Sequence, residues 1–267
     1  MPRPEFSVCV LLFGGYTDLS KRCLGSIENS HYEHNVQDFR IALNSVSAKT
    51  HRYAMDWASR QSCPTIFYYP FWDGNPALKY PIMRKMFQDK NTPLARTMMW
   101  FDDDSYLADE TQLGNAGNSW WSDMVVTAQK NQVIGQVWKM PMTARRWEWI
   151  LTQWWYNPEM EYVDRVDFPQ GAWWCANSDL LAELNWPDPR LHHCGGDSLF
   201  GEMCRHSYIK IHKYEGRYVR VNADAGGTHS KAARRGFSQT PLADDYEGDP
   251  LPLAPVPDIS RWVHRGT

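Results

Sequence analysis

The chain has no long apolar stretch. Its longest uninterrupted hydrophobic run in 267 residues, Val8 to Phe13, falls far short of the ~18–20 residues of a bilayer-crossing helix, so integral membrane association is not expected. Met1-Pro2-Arg3-Pro4-Glu5 carries no apolar leader and runs directly into a strand, which points to a soluble, cytoplasmic protein. An excess of charge of one sign is also missing. With 28 Lys and Arg against 31 Asp and Glu, the formal net charge is −3, which argues against non-specific adhesion to DNA but leaves room for a local basic groove. The six cysteines (Cys9, Cys23, Cys63, Cys175, Cys194 and Cys204) show no paired spacing, so reduced, mostly buried thiols are expected. A zinc site built from His192, His193, Cys194, Cys204 and His206 lacks the usual ligand spacing and is disfavoured. No Gly-x-Gly-x-x-Gly follows the first strand. Phe13-Gly14-Gly15-Tyr16 is a tight turn and not a dinucleotide fingerprint.

Tryptophan is abundant, with 14 residues. The pairs Trp120-Trp121, Trp154-Trp155 and Trp173-Trp174 cannot all face one core if they lie on strands, so some are expected to line a surface that stacks on a sugar or a base. The first half alternates by hydrophobic period. Strands are expected at Phe6 to Phe13, Phe39 to Leu43, Thr65 to Tyr69 and Thr97 to Phe101, with helices at Asp18 to Asn29, Ser47 to Arg60 and Ala77 to Gln88 between them. That order implies a parallel sheet with right-handed crossovers. The second half is less regular: helices at Ser119 to Lys130, Ser178 to Leu184 and Asp197 to His206, and a Trp-rich helix or ribbon at Arg146 to Trp155. Its strands are expected at Val133 to Trp138, Phe168 to Cys175 (interrupted by Gly171), Tyr208 to His212 and Arg217 to Val221. From Pro241 onward prolines and acids dominate, and residues 241–267 read as an extended tail.

The most telling feature is Asp102-Asp103-Asp104, which closes the apolar run Thr97-Met98-Met99-Trp100-Phe101. Such a run reads as a buried strand, and open α/β sheets bind ligands at the carboxyl ends of their strands. Three adjacent carboxylates are costly unless a cation neutralises them, and oxygen-only ligands favour a hard ion such as Mg²⁺ or Mn²⁺.

With these pieces in order, the chain resembles the metal-dependent nucleotide-sugar glycosyltransferases of the GT-A fold, especially the large family-two group, over roughly residues 6 to 230. The resemblance is carried by Val10 to Tyr16, Leu24-Gly25-Ser26-Ile27, Asp102-Asp103-Asp104, Gly171-Ala172-Trp173-Trp174, and Trp186-Pro187-Asp188-Pro189 leading to Gly195-Gly196-Asp197. It implies an α/β GT-A domain over residues 1–240. A Rossmann-like nucleotide-binding half with a mostly parallel central sheet (1–110) would be fused to a smaller acceptor-binding half (111–240).

The same resemblance implies roles for individual residues. Asp104 would clamp a divalent ion that stabilises the departing nucleotide diphosphate, Asp102 would face the ribose or support the metal beside Asp103, and His229 would complete the metal site. Asp197 would be the general base that takes the acceptor hydroxyl's proton, although Gly196 stands where the family often has a second acid. Phe13, Gly14 and Tyr16 would border the base and Asn44 would meet a uracil edge, while Lys79 and Arg84, or Arg234 and Arg235, would meet the diphosphate. The implied reaction is inverting hexosyl transfer from a UDP-sugar. Its acceptor would be a glycan or, as in viruses of bacteria, a hydroxymethylated DNA base, held by the Trp-rich half with Lys231, Arg234 and Arg235. Two alternatives stand beside it: a metal-dependent phosphoesterase using the same aspartates, and a glycan-binding module in which the acidic cluster is structural.

Overall fold

The computed structural model describes residues 5–69, 71–72, 75–76, 79–108, 120–188, 191, 196–216 and 218–221. Four strands of the first half, β1 (Phe6–Phe13), β2 (Val36–Asn44), β3 (Thr65–Tyr68) and, after a two-stranded ribbon of β4 (Phe71–Trp72) and β5 (Asn75–Pro76), β6 (Thr97–Asp102), lie parallel in one sheet. The helices between them are α1 (Thr17–Glu28), α2 (Ala48–Ser59) and α3 (Lys79–Phe87). Each forms where apolar residues recur at helical spacing. In α1, Ser20, Cys23, Leu24 and Ile27 are buried on one stripe. Ser47 caps α2 through its hydroxyl, which accepts from the Thr50 N–H at 3.1 Å.

The remaining elements are β7 (Ser105–Leu107), α4 (Trp120–Lys130), β8 (Val133–Pro141), α5 (Ala144–Leu151), β9 (Arg165–Asn177), α6 (Ser178–Glu183), α7 (Gly196–His206), β10 (Ile211–Lys213) and β11 (Val219–Val221). The second half does not build a sheet of its own. β9 enters antiparallel beside β6, so the seven-stranded order is β10-β8-β9-β6-β1-β2-β3. β8 is antiparallel to β9, and β10 is parallel to β8.

The entry of β9 bears out one expectation and corrects another. The strand runs 13 residues, but its pairing with β8 passes from Trp174 to Pro169, so the interruption expected at Gly171 appears as a bulge over residues 170–173 opposite Gln136. The tryptophan pairs do not form an exposed platform. Trp120, Trp121, Trp173 and Trp174 are all buried, because the sheet is covered on both faces. Trp173 packs with α1, α2 and α4 on one face, and Trp174 packs with α3, α6 and α7 on the other. Trp155 is buried as well, and among the tryptophans with described side chains Trp138 is the largely exposed one. The short antiparallel pairing of β7 with β11 was not legible in the sequence. No helix among the described residues is long and apolar enough to cross a membrane. The expected tail, 241–267, lies outside the described residues.

Candidate active site

Parallel crossovers bring the carboxyl ends of β1, β2 and β6 to one edge, and with them Phe13, Asn44 and Asp102. The three consecutive aspartates separate there into three environments. Asp102 stays at the surface of the cluster, accepting from Lys79 Nζ at 2.7 Å and from Trp100 Nε1 at 2.9 Å. Asp103 turns inward. It is buried, and its Oδ2 accepts from the Phe13 N–H at 3.1 Å, so it ties β6 to the end of β1. Burial, together with the neighbouring Asp102 and Asp104 charges, pushes its carboxyl well above the usual range even though the Phe13 N–H works the other way. Asp103, expected at the cofactor, is thus an internal anchor between β6 and the end of β1 in this structure. Asp104 is the carboxylate left over. Its Oδ1 is buried with no hydrogen-bond partner among the described residues, and burial with Asp102 alongside pushes its pKa up to about 6.

An orphaned, buried carboxylate oxygen beside a second carboxylate suits a hard divalent cation, which would remove the cost of both charges. The fit is partial within the described residues. No three His, Cys, Asp or Glu side chains among them converge on one ion position. Any further protein ligand must come from elsewhere, and His229, Lys231, Arg234 and Arg235 all lie outside the described residues.

On the other side of the cluster, α7 delivers Asp197 from its first turn. Tyr80 donates its hydroxyl to Asp197 Oδ1 at 2.6 Å, and the Gly171 N–H donates to the same carboxylate. Gly171 leaves the space that carboxylate occupies. A Cβ there would meet Asp197 Oδ1 at 2.7 Å, with Oδ2 nearer still. The Gly171 carbonyl accepts from Lys79 Nζ at 2.8 Å, so one ammonium bridges the Asp102 side and the Asp197 side. Burial pushes the Asp197 carboxyl up, against the Lys79 charge and the Tyr80 hydrogen bond. For Lys79, burial works against the ammonium, but Asp102 and Asp197 outweigh it and hold its pKa above the ordinary lysine value.

Several expected residues are not brought together in the way the sequence suggested. Lys79 is at the site but is engaged by Asp102 and Gly171. Arg84 is not at the aspartates: its guanidinium donates to the Asn185 carbonyl at 3.2 Å, the Asn185 side-chain oxygen at 2.9 Å and the Pro187 carbonyl at 2.6 Å, bracing the turn after α6. Asn44 is buried at the end of β2, where its carbonyl accepts from the Gly14 N–H at 3.1 Å. Gly14 takes φ +60, which the tight turn requires, while Phe13, Gly14 and Tyr16 are partly exposed at the mouth of the edge. His206 belongs to another place. Its Nδ1 accepts from the Asn157 N–H at 3.0 Å, inside an aromatic group of Trp147, Trp155 and Tyr156.

Sequence reasoning missed two residues. Tyr80 is separated from Asp197 by 117 positions, and no local pattern marks the pair. Arg22 on α1 stacks over the Tyr106 ring at 4.4 Å, close enough to Asp104 to favour its charge. Its Nη2 is buried without a hydrogen-bond partner among the described residues. Only the return of β7 against α1 brings Tyr106 and Asp104 to it, and α1 itself reads as an ordinary amphipathic helix.

The order and connectivity of the sheet are those of the GT-A fold, which this chain shares with several solved glycosyltransferase structures. One is the mannosyltransferase PcManGT from Pyrobaculum calidifontis in complex with GDP-Man and Mn²⁺, with a TM-score of 0.55 and 11% identity over 88% of this chain and 61% of that one. Another is S. aureus TarS, with a TM-score of 0.52 and 11% identity over 85% of this chain and 38% of that one. A third is GalNAc-T7 with UDP, GalNAc and Mn²⁺, with a TM-score of 0.52 and 9% identity over 78% of this chain and 42% of that one. The chain thus spans less than two thirds of the length of each. At these identities the likeness is one of fold. No protein-family model matches the sequence, and no curated protein matches it.

Proposed function

We propose that the protein is a metal-dependent inverting glycosyltransferase that moves a hexosyl group from a nucleotide-diphosphate sugar, with UDP as the expected nucleotide, to an acceptor hydroxyl. One observation carries this reading. Two carboxylate sites of different character face one another at the carboxyl edge of the sheet, joined through Lys79 and the Gly171 peptide. Asp104, with its unpartnered oxygen, is the ligand for Mn²⁺ or Mg²⁺, supported by Asp102; His229 is the expected third ligand. The ion's chemistry is to stabilise the charge that develops on the diphosphate as the sugar leaves. Arg22, stacked and without a hydrogen-bond partner at Nη2, meets a diphosphate oxygen, a role for which Lys79 and Arg84 are already committed elsewhere. Phe13, Gly14 and Tyr16 border the nucleotide. Asp197 accepts the proton of the acceptor hydroxyl as that oxygen attacks the anomeric carbon from the face opposite the leaving group.

A phosphoesterase of the two-metal kind needs more ligands than the described residues bring together. A glycan-binding module built on the tryptophan pairs is disfavoured by the burial of Trp120, Trp121, Trp155, Trp173 and Trp174. The test is a donor-by-acceptor screen with Mn²⁺, read by mass spectrometry, with glycans and hydroxymethylcytosine DNA as the two acceptor arms. Transfer of a hexosyl mass supports the reading and identifies the acceptor. Release of inorganic phosphate without transfer, or no turnover of any donor, overturns it.

A further inference from the structure

Three residues from three separate elements interlock around the Asp197 carboxylate, and each requires the next. Gly171 on β9 lacks the Cβ that would collide with that carboxylate. Gly196, the first residue of α7, lacks the Cβ that would collide with the Tyr80 ring, 2.2 Å from its Cζ and 2.5 Å from its hydroxyl oxygen. The Tyr80 ring thus fills the space a side chain at 196 would take, and its hydroxyl reaches Asp197 Oδ1 at 2.6 Å. The ring is buried and held edge-on against Trp186, with centroids 5.9 Å apart. Its neighbour Lys79, at the first residue of α3, grips Asp102 and the Gly171 carbonyl. The start of one helix therefore holds both carboxylates, one through each of two adjacent side chains.

We propose that Tyr80 is the positioning residue of Asp197. Its ring replaces the side chain that Gly196 lacks, and its hydroxyl fixes the carboxylate against the Gly171 peptide so that the remaining lone pairs point to the acceptor. This rests on the reading of Asp197 as the acceptor base. A carboxylate free to rotate in this space would spend part of its time off the acceptor hydroxyl, and a base must sit within hydrogen-bond reach of the proton it takes. The groups that face Asp197 are Lys79 and Tyr80 from α3, Asp102 from β6 and the Gly171 N–H from β9. Of these, Tyr80 donates a hydroxyl hydrogen bond that can be removed without altering charge or shape.

Tyr80→Phe deletes that hydroxyl and keeps the ring that fills the space at Gly196, so the variant should fold and melt near the wild type. Its kcat should fall about ten- to a hundred-fold, the rate equivalent of one hydrogen bond to a charged group, with donor KM unchanged. Because the hydroxyl holds the Asp197 pKa down, the acid limb of the kcat/KM profile should move to higher pH, a change that a purely structural loss would not produce. Gly196→Ala, which pushes the ring away, should show the same split between kcat and KM. A Tyr80→Phe enzyme with wild-type kcat and an unmoved acid limb overturns the proposal. Two controls separate it from the underlying reading. Near-normal transfer by Asp197→Asn overturns the base assignment and this role with it. Independently of any turnover, the ¹³C-detected titration of the Asp197 carboxyl should move up in Tyr80→Phe, and an unmoved titration sinks the positioning contact itself.

Discussion

Replacing Gly171 by alanine probes the geometry of the proposed base more directly than removing the base does. The added methyl would stand 2.7 Å from Asp197 Oδ1, where ordinary contact begins near 3.4 Å. The carboxylate must therefore retreat by about 0.7 Å, and by more on its other oxygen. No left-handed backbone angle is involved at this position, so the perturbation is purely one of side-chain space. A retreat of that size breaks or bends the 2.6 Å bond from Tyr80. Displacement of a reacting group by about 1 Å costs on the order of 10²-fold in rate. Gly171→Ala should thus lower kcat about a hundred-fold while calorimetric binding of the nucleotide sugar stays near wild type. The double variant Gly171→Ala/Asp197→Asn should be no slower than Asp197→Asn alone, because both changes remove the same group from the reaction. Wild-type turnover in Gly171→Ala, or additive losses in the double variant, would refute the placement of Asp197 as base.

Three further outcomes are expected. Asp104 must be deprotonated to hold a cation and its pKa is pushed up to about 6, so Mn²⁺ affinity measured by calorimetry should fall as pH drops through that value; Asp104→Ala should abolish the metal dependence of donor binding. Glu202 is buried, which works against its charge, but hydrogen bonds from His206 and Arg205 outweigh burial and hold its carboxyl below the usual range. Its contribution to stability is therefore present above the unfolded glutamate pKa of about 4.3 and is lost as pH falls through the lower folded value, so urea midpoints of Glu202→Gln should lose that part of the acid dependence. Arg40 is fully buried, paired with Asp38 and bonded to the Met86 and Thr92 carbonyls. Arg40→Met leaves Asp38 charged in the interior without its ion-pair partner and should cost about 3–5 kcal/mol in urea unfolding; a change below 1 kcal/mol would contradict the burial of that pair.

Much of the first half was legible from hydrophobic period alone. β1 appears with the expected bounds, and α1, α2 and α3 lie within a residue or two of theirs, because their burial stripes are local properties of the chain. The strand before the aspartates was legible for the same reason, and parallel crossovers then left no choice about which sheet edge the aspartates would occupy. The second half was harder to read. Trp173-Trp174 looked like a platform because a strand covered on one face cannot hide both rings, and nothing local reveals that helices cover both faces of this sheet.

The sequence by itself determined that a carboxylate cluster ends a buried strand of a parallel sheet and that a second carboxylate opens a helix after a glycine turn. Only the tertiary structure decided which carboxylates are available for chemistry. Asp103 is drawn inward by the Phe13 N–H, 90 positions away. Lys79, expected on the diphosphate, is held by the Gly171 carbonyl, 92 positions away. Asp197 is gripped by Tyr80, 117 positions away. Periodicity and capping act over a turn or a strand, whereas these partners meet only because β9 enters antiparallel beside β6 and lays its Gly171 peptide between the two carboxylates.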